Sequence, residues 1–130
     1  MTQYGDNPFG FEDLEVYKAA RRLRNGMYEL LRGLPPEEKY ALASQMRRAA
    51  LSLTNNLAEG YGRHTWRDVS HFCRQARGSL FELVDDLNTC ADQQYAEPQT
   101  LAALRQESED VLKLINGYIR WLQSKQGEPR

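Results

Sequence analysis

The amino-acid sequence predicts an all-α fold, an antiparallel up-and-down bundle of four helices. Apolar residues recur at spacings of three and four along four separate segments, which is the period of an amphipathic helix. Segments rich in proline or glycine separate these stretches, and strand signals are absent. Helices of roughly 20 residues or more, joined by short turns, pack most simply with neighbours antiparallel.

The first helix is predicted to begin near Asp13 and to end at residues 33–36, GLPP, because glycine and paired prolines do not continue a helix. Pro36 is expected to open the second helix, where a proline loses no hydrogen bond and the acids Glu37 and Glu38 meet the positive end of the helix dipole. The first apolar seam consists of Val16, Ala20, Leu23, Met27, Leu30 and Leu34.

The second helix is predicted to run to about Gly60 or Gly62, with an apolar seam beside a polar stripe. The seam is Leu42, Met46, Ala49, Ala50, Leu53, Leu57 and Tyr61. The stripe is Gln45, Arg48, Ser52, Asn55, Asn56, Glu59 and Arg63. Small residues near the stripe, among them Ala58 and Gly60, would let a second backbone approach closely. We therefore expect something to pack there.

Thr65 is predicted to cap a third helix, with Asp68 three residues later as a weaker form of the capping box. Its seam is Val69, Phe72, Ala76, Leu80, Leu83 and Leu87. Residues 92–98 break the pattern, and a fourth seam then reaches about Ser124, through Leu101, Leu104, Val111, Leu112, Ile115, Ile119 and Leu122. Residues 11–124 are thus predicted to form the bundle, and 1–10 and 125–130 to be flexible tails.

Charge is segregated along the chain although the net charge is only −1. Residues 39–79 hold seven Arg/Lys against two acids, whereas residues 80–110 hold one Arg against eight acids. No run of about 18 apolar residues could span a bilayer, and the N-terminus lacks a signal-peptide pattern, so a cytoplasmic location is expected. Cys73 and Cys90 lie within helical patterns without a CxxC spacing and are predicted to be small buried hydrophobes.

Three segments carry a family resemblance: FEDLEVYKAA at 11–20, LPPEEKYALASQMRRAALSLTNNLAEGYGR at 34–63 and FCRQARGSLFEL at 72–83. They resemble bacterial four-helix bundle proteins, a group that includes the ribosomal-RNA intervening-sequence proteins, with the accessory variability determinants of diversity-generating retroelements as relatives. The matching positions are Gln45, Arg47, Arg48, Ala49, Ala50, Ser52, Asn56, Ala58, Glu59, Gly60 and Arg63, then Ala76, Gly78, Ser79, Glu82 and Leu83.

The resemblance implies a left-handed bundle that assembles as a homopentameric ring and has no enzyme activity. For the retroelement accessory proteins it implies partnership with a reverse transcriptase and template RNA, whereas for the intervening-sequence proteins the role is undefined. This chain departs from the basic accessory proteins in its slightly acidic net charge. Two functions therefore stay open: a non-catalytic scaffold that binds RNA, a reverse transcriptase or both, and a self-associating structural protein with no nucleic-acid function.

A basic surface is the candidate nucleic-acid site. Arg67, His71 and Arg74 are predicted to point away from the third seam. The hypothesis is a phosphate-binding surface made of Arg63, Arg67, Arg74 and Arg77, to which His64 and His71 add charge in mildly acidic solution. An ordinary solvated helix face is the alternative, and it is favoured unless a ring of copies multiplies weak contacts.

The polar stripe is the candidate interface. Gln45, Arg48, Ser52, Asn56 and Glu59 are predicted to form a hydrogen-bonded network between helices or between subunits. A solvated face supported by a Glu59–Arg63 pair is the alternative. Gly78, in mid-helix, is expected to let a neighbouring helix come close, because glycine there costs about 1 kcal/mol relative to alanine.

Sites of other kinds are disfavoured by the sequence. The inward Glu-x-x-His pairs of di-iron bundles do not occur, and a zinc site from His64, His71 and Cys73 would lie on an outward face without a CxxC. Trp66 and Trp121 are expected to cover the bundle rim or an interface rather than stack on bases. No cofactor, metal, small-molecule substrate or membrane partner is expected.

Overall fold

The computed structural model describes residues 7–130, and these form four α-helices and no strand. The helices are α1, Glu15–Arg32; α2, Leu42–Tyr61; α3, Trp66–Asp92; and α4, Pro98–Ser124. Short 3-10 turns cover Gly10–Asp13 and Pro36–Glu38. The all-α prediction is confirmed. Of the predicted N-terminal tail, residues 1–6 lie outside the described residues.

The four helices pack in a closed cycle in chain order. Helix α2 lies against α1 and α3, and α4 lies against α3 and α1. Ser79 in α3 contacts Ser52 in the middle of α2, whereas the region of Val69 and Phe72 near the start of α3 meets Gly60 at the end of α2. Neighbours α2 and α3 are therefore antiparallel.

The predicted seams form one core. In all four helices the seam residues are buried, apart from Leu34, Tyr61, Phe72 and Leu112, which are half-buried. Cys73 and Cys90 are buried free thiols, as predicted. The side chain of Thr65 accepts a hydrogen bond from the backbone N–H of Asp68 at 3.1 Å, which confirms the predicted cap of α3.

The prediction that α2 begins at Pro36 is wrong. Residues Pro36–Glu38 form a 3-10 turn, and the backbone of Ala41 leaves helical geometry (φ −122°, ψ −101°) before α2 begins at Leu42. The carboxylate of Glu38 accepts a hydrogen bond from the Leu42 N–H at 3.3 Å and another from the Tyr95 hydroxyl at 2.7 Å. Glu38 thus satisfies one of the free N–H groups at the start of α2 from outside the helix.

The expected role of Gly78 is also wrong within a single chain, whereas Gly60 lies where α2 and α3 come close. A Cβ atom on Gly60 would stand 2.6 Å from the Cβ of Phe72 and 3.4 Å from the carbonyl oxygen of Val69. A Cβ atom on Gly78 would meet nothing within 4 Å, because Gly78 lies on the exposed side of α3. Of these two glycines, packing within the chain therefore requires Gly60 and not Gly78.

Candidate nucleic-acid and subunit interfaces

The first half of α3 presents basic side chains to solvent. Arg67, His71 and Arg74 are exposed, and they alternate with the buried residues Val69 and Cys73 that face the core. His71 Nε2 lies 3.3 Å from the Gln75 side-chain nitrogen. Within residues 7–130 neither Arg67 nor Arg74 forms an ion pair, so both guanidinium groups are available to an anion.

Arg63 and His64 lie in the short connection between α2 and α3. The Arg63 guanidinium forms an ion pair with Glu59 at 2.9 Å and lies 4.5 Å from the centroid of the Phe72 ring. His64 is exposed. Because Glu59 already offsets the charge of Arg63, this residue adds less to the basic surface than Arg67 or Arg74 does.

Arg77 does not lie with the other predicted basic residues. Its guanidinium donates a hydrogen bond to the Asn116 side-chain oxygen on α4 at 2.9 Å, and the residue is half-buried. Arg77 follows Arg74 by three positions, and this rotates it toward α4. The basic surface in the structure is therefore formed by Arg67, His71 and Arg74, with Arg63 and His64 at its edge.

The polar stripe of α2 divides into two parts. Asn56 donates hydrogen bonds to the backbone oxygen and the hydroxyl of Ser52, both at 2.9 Å, and the Ser79 hydroxyl of α3 donates to the Ser52 hydroxyl at 2.8 Å. This half-buried network joins α2 to α3. Ser79 is a member that the sequence reasoning did not assign to it.

The rest of the stripe faces outward in the single chain. Gln45, Arg48 and Glu59 are exposed. Beside the Ser52 network the surface forms an open groove of about 420 Å³ between α2 and α3. Its lining comprises Ser52, His71, Arg74, Gln75, Gly78, Ser79 and Glu82. The network, the open space at Gly78 and part of the basic surface therefore share one face of the bundle.

The second half of α3 is acidic and contains a buried carboxyl group that the sequence reasoning missed. Asp86 is only 2% exposed, and its Oδ2 atom has no hydrogen-bond partner in the described part of the chain. Burial, together with the nearby carboxylates of Asp85 and Glu82, raises the pKa of Asp86 to about 6. Asp86 follows Leu83 by three residues and precedes Cys90 by four, so helical spacing alone placed it beside the core.

The structure of residues 7–130 also bears on metal sites, reactive thiols and membrane-spanning helices. Among residues 7–130 no group of three His, Cys, Asp or Glu side chains could hold a metal ion. Burial raises the pKa of Cys73 to about 12, so its thiol stays protonated and unreactive near neutral pH. No helix of the described residues combines the length and apolarity that crossing a bilayer requires.

Comparison with known proteins supports the resemblance found in the sequence. The family model described as 23S rRNA-intervening sequence protein matches residues 12–117, which include α1, α2, α3 and most of α4. A search of curated proteins finds no match.

Proposed function

Because the chain belongs to the 23S rRNA-intervening sequence protein family, we propose that it is a non-catalytic scaffold that self-associates and binds RNA. The observation that carries the proposal is the pair of unpaired arginines, Arg67 and Arg74, on one exposed face of α3. In a nucleic acid such a surface would bind the phosphate groups of the backbone. Contacts to phosphates contribute to the binding affinity but do not distinguish one base sequence from another.

The acidic half of α3 begins about two helical turns beyond Arg74, although Glu82 and Arg74 line the same groove. The first acid after Arg74 on α3 is Glu82, eight residues later. At 1.5 Å per residue the two are separated by about 12 Å along the helix axis, which exceeds the Debye length of about 8 Å at physiological ionic strength. Salt in solution therefore weakens the repulsion that Glu82 exerts on a phosphate held at Arg74.

Self-association would use the face between α2 and α3. Gly78 is an exposed mid-helix glycine that no contact within the chain requires, and it lies next to the polar network of Ser52, Asn56 and Ser79. A second copy packed into this groove would give Gly78 a packing role and would enclose Gln45 and Arg48. We propose a homopentameric ring, as the family resemblance implies, in which five copies of the basic surface add their weak contacts.

A reverse transcriptase is the protein partner that we propose for such a ring, by the resemblance to the retroelement accessory proteins. Pull-down of a reverse transcriptase encoded beside this gene would support that partnership. A reverse transcriptase that binds neither the ring nor its RNA complex would contradict it.

A second function, self-association without RNA binding, is favoured by two observations. The net charge is −1, and Glu59 pairs with Arg63 at the edge of the basic surface. Both reduce the attraction for a polyanion. The two functions differ in one measurable property, which is RNA affinity at low salt.

The deciding experiment measures RNA binding by fluorescence anisotropy over a salt series, for the wild type and for the double variant Arg67→Gln/Arg74→Gln. The affinity of the wild type should fall with salt, and the variant should lose about 1.4 from the slope, at about 0.7 per phosphate contact on a single strand. The matched control is Arg21→Gln/Arg32→Gln, which removes the same charge from exposed positions on α1.

Equal losses in the control and the test variant would mean that only net charge matters, and that result would refute the assigned surface. If the wild type assembles but binds no RNA at low salt, RNA binding is refuted and self-association without RNA binding is the function that remains. Mass measurement by light scattering on the same samples establishes whether the protein is assembled.

A further inference from the structure

Aromatic side chains cluster at the end of the bundle where α3 begins and α4 ends. Trp66 and Trp121 meet edge to face, with ring centroids 5.2 Å apart, and Tyr118 stacks on Trp121 with an interplanar angle of 15°. Trp66 is half-buried against the core. Trp121, by contrast, is 47% exposed, so it does not simply close the bundle rim.

The neighbours of Trp121 hold its ring in a defined orientation. Tyr118 precedes it by three residues on the same helix face and is itself half-buried, with a pKa that burial raises well above the ordinary range. Because Trp66 and Tyr118 already hold the indole in place, Trp121 loses little conformational freedom when a planar ligand binds to it.

Two cations lie beside these rings. The Lys125 ammonium lies 5.6 Å from the Trp121 centroid, and the Arg130 guanidinium lies 5.0 Å from the Trp66 centroid. Segments 63–68 and 120–130, which lie around these rings, contain five Arg/Lys against two acids, whereas residues 7–15 at the same end of the bundle add three acids. Arg67, the first residue of the basic surface of α3, follows Trp66 directly. Exposed aromatic rings beside cations are the combination that binds single-stranded nucleic acids.

We infer that Trp121 stacks on an unpaired base of single-stranded RNA, while Lys125 and Arg67 contact the flanking phosphates. Single strands are favoured because the bases of an A-form duplex are stacked on each other and offer no face to a side chain. This inference rests on the proposed RNA binding and specifies the form of RNA that is bound.

The test compares an oligoadenylate of about ten nucleotides with a blunt RNA duplex of the same length. Fluorescence of Trp121 is followed in a Trp66→Phe background, where it is the only tryptophan, and affinity is measured by anisotropy for Trp121→Ala, Trp121→Phe and Leu114→Ala. Leu114→Ala is the matched control, because Leu114 is another exposed apolar residue of α4.

We expect the single strand, and not the duplex, to quench Trp121. Trp121→Ala should weaken binding of the single strand about fivefold or more, since this is the smallest loss of affinity typical for removing one base–aromatic stacking contact. Trp121→Phe should retain most of the affinity, and Leu114→Ala all of it.

If RNA binds while Trp121→Ala binds equally well and Trp121 is not quenched, this inference fails and the proposed function survives. If the wild type binds no RNA at low salt, both fail. If Trp121→Ala lowers the mass of the assembly, measured by light scattering, Trp121 is a subunit contact and the inference is also overturned.

Discussion

Replacing Asp86 by asparagine is expected to stabilise the fold near neutral pH and above. The pKa of Asp86 is raised from an ordinary value of 3.8 to about 6, with burial as the largest cause. The folded state therefore favours the protonated carboxyl. Its contribution to stability is complete below the unfolded pKa of 3.8 and is lost as the pH rises through the folded pKa of about 6.

The size of the effect follows from the shift. A pKa difference of about two units corresponds to about 3 kcal/mol that the folded state loses on going from acidic to neutral solution. Asparagine has the same shape and no charge, but its amide must find partners at a site where the Oδ2 atom of Asp86 has none. Allowing about 1 kcal/mol for that mismatch at either pH, Asp86→Asn should gain about 2 kcal/mol at about pH 8 and lose up to about 1 kcal/mol at about pH 4.

Urea unfolding followed by circular dichroism, at one protein concentration and at these two pH values, measures the difference; both values lie away from the sequence pI of 6.1. The matched control is Glu109→Gln, an exposed acid of α4 with the same charge change, which should shift stability by no more than about 0.5 kcal/mol. A gain of equal size at both pH values, or no gain at about pH 8, would refute the assignment of a buried, unpartnered carboxylate.

Two further substitutions test the roles of the glycines. Gly60→Ala should destabilise the protein by about 1–3 kcal/mol in thermal or urea unfolding, because the added Cβ would lie 2.6 Å from the Phe72 Cβ and the helices must separate; unchanged stability would contradict this packing. Gly78→Ala should stabilise the dilute, dissociated chain by about 1 kcal/mol, since alanine is the better helix former and the space there is open. It should also lower the assembled mass measured by light scattering, and an unchanged mass at every concentration would argue against the proposed subunit contact.

The sequence specified the core closely, because helical spacing alone decides which side chains share a face. The predictions from the sequence failed where a residue could lie in either of two environments. Glu38 was expected to belong to the first turn of α2, yet it accepts hydrogen bonds from Leu42 and Tyr95, and the second partner is distant in sequence. Arg77 and Gly78 were assigned from spacing and propensity, neither of which states which side of α3 is covered by a neighbour.

Placement of the candidate sites was less predictable for the same reason. Ser52 and Asn56 were expected to take part in a network, but their partner Ser79 depends on the register between α2 and α3. Helical spacing predicts that position 86 faces the core. Because the residue there is an acid, which is rarely buried, it was not assigned to the core. A partner that covers the exposed polar stripe would belong to another subunit. The residue pattern of one chain does not identify such a partner.

The hydrogen bond between Tyr95 and Glu38 joins the α1–α2 connection to the α3–α4 connection, at the pole opposite Trp121. The same hydrogen bond is the main cause that raises the pKa of Tyr95 to about 12, so the hydroxyl keeps its proton under physiological conditions. Around this pole, segments 32–39 and 92–97 contain two bases against four acids. In a closed cyclic arrangement whose bundle axes run along the ring axis, the protomers point the same way. Such a ring would have two unlike rims, an acidic one and an aromatic one that carries Lys125 and Arg130, and a polyanion could distinguish its top from its bottom.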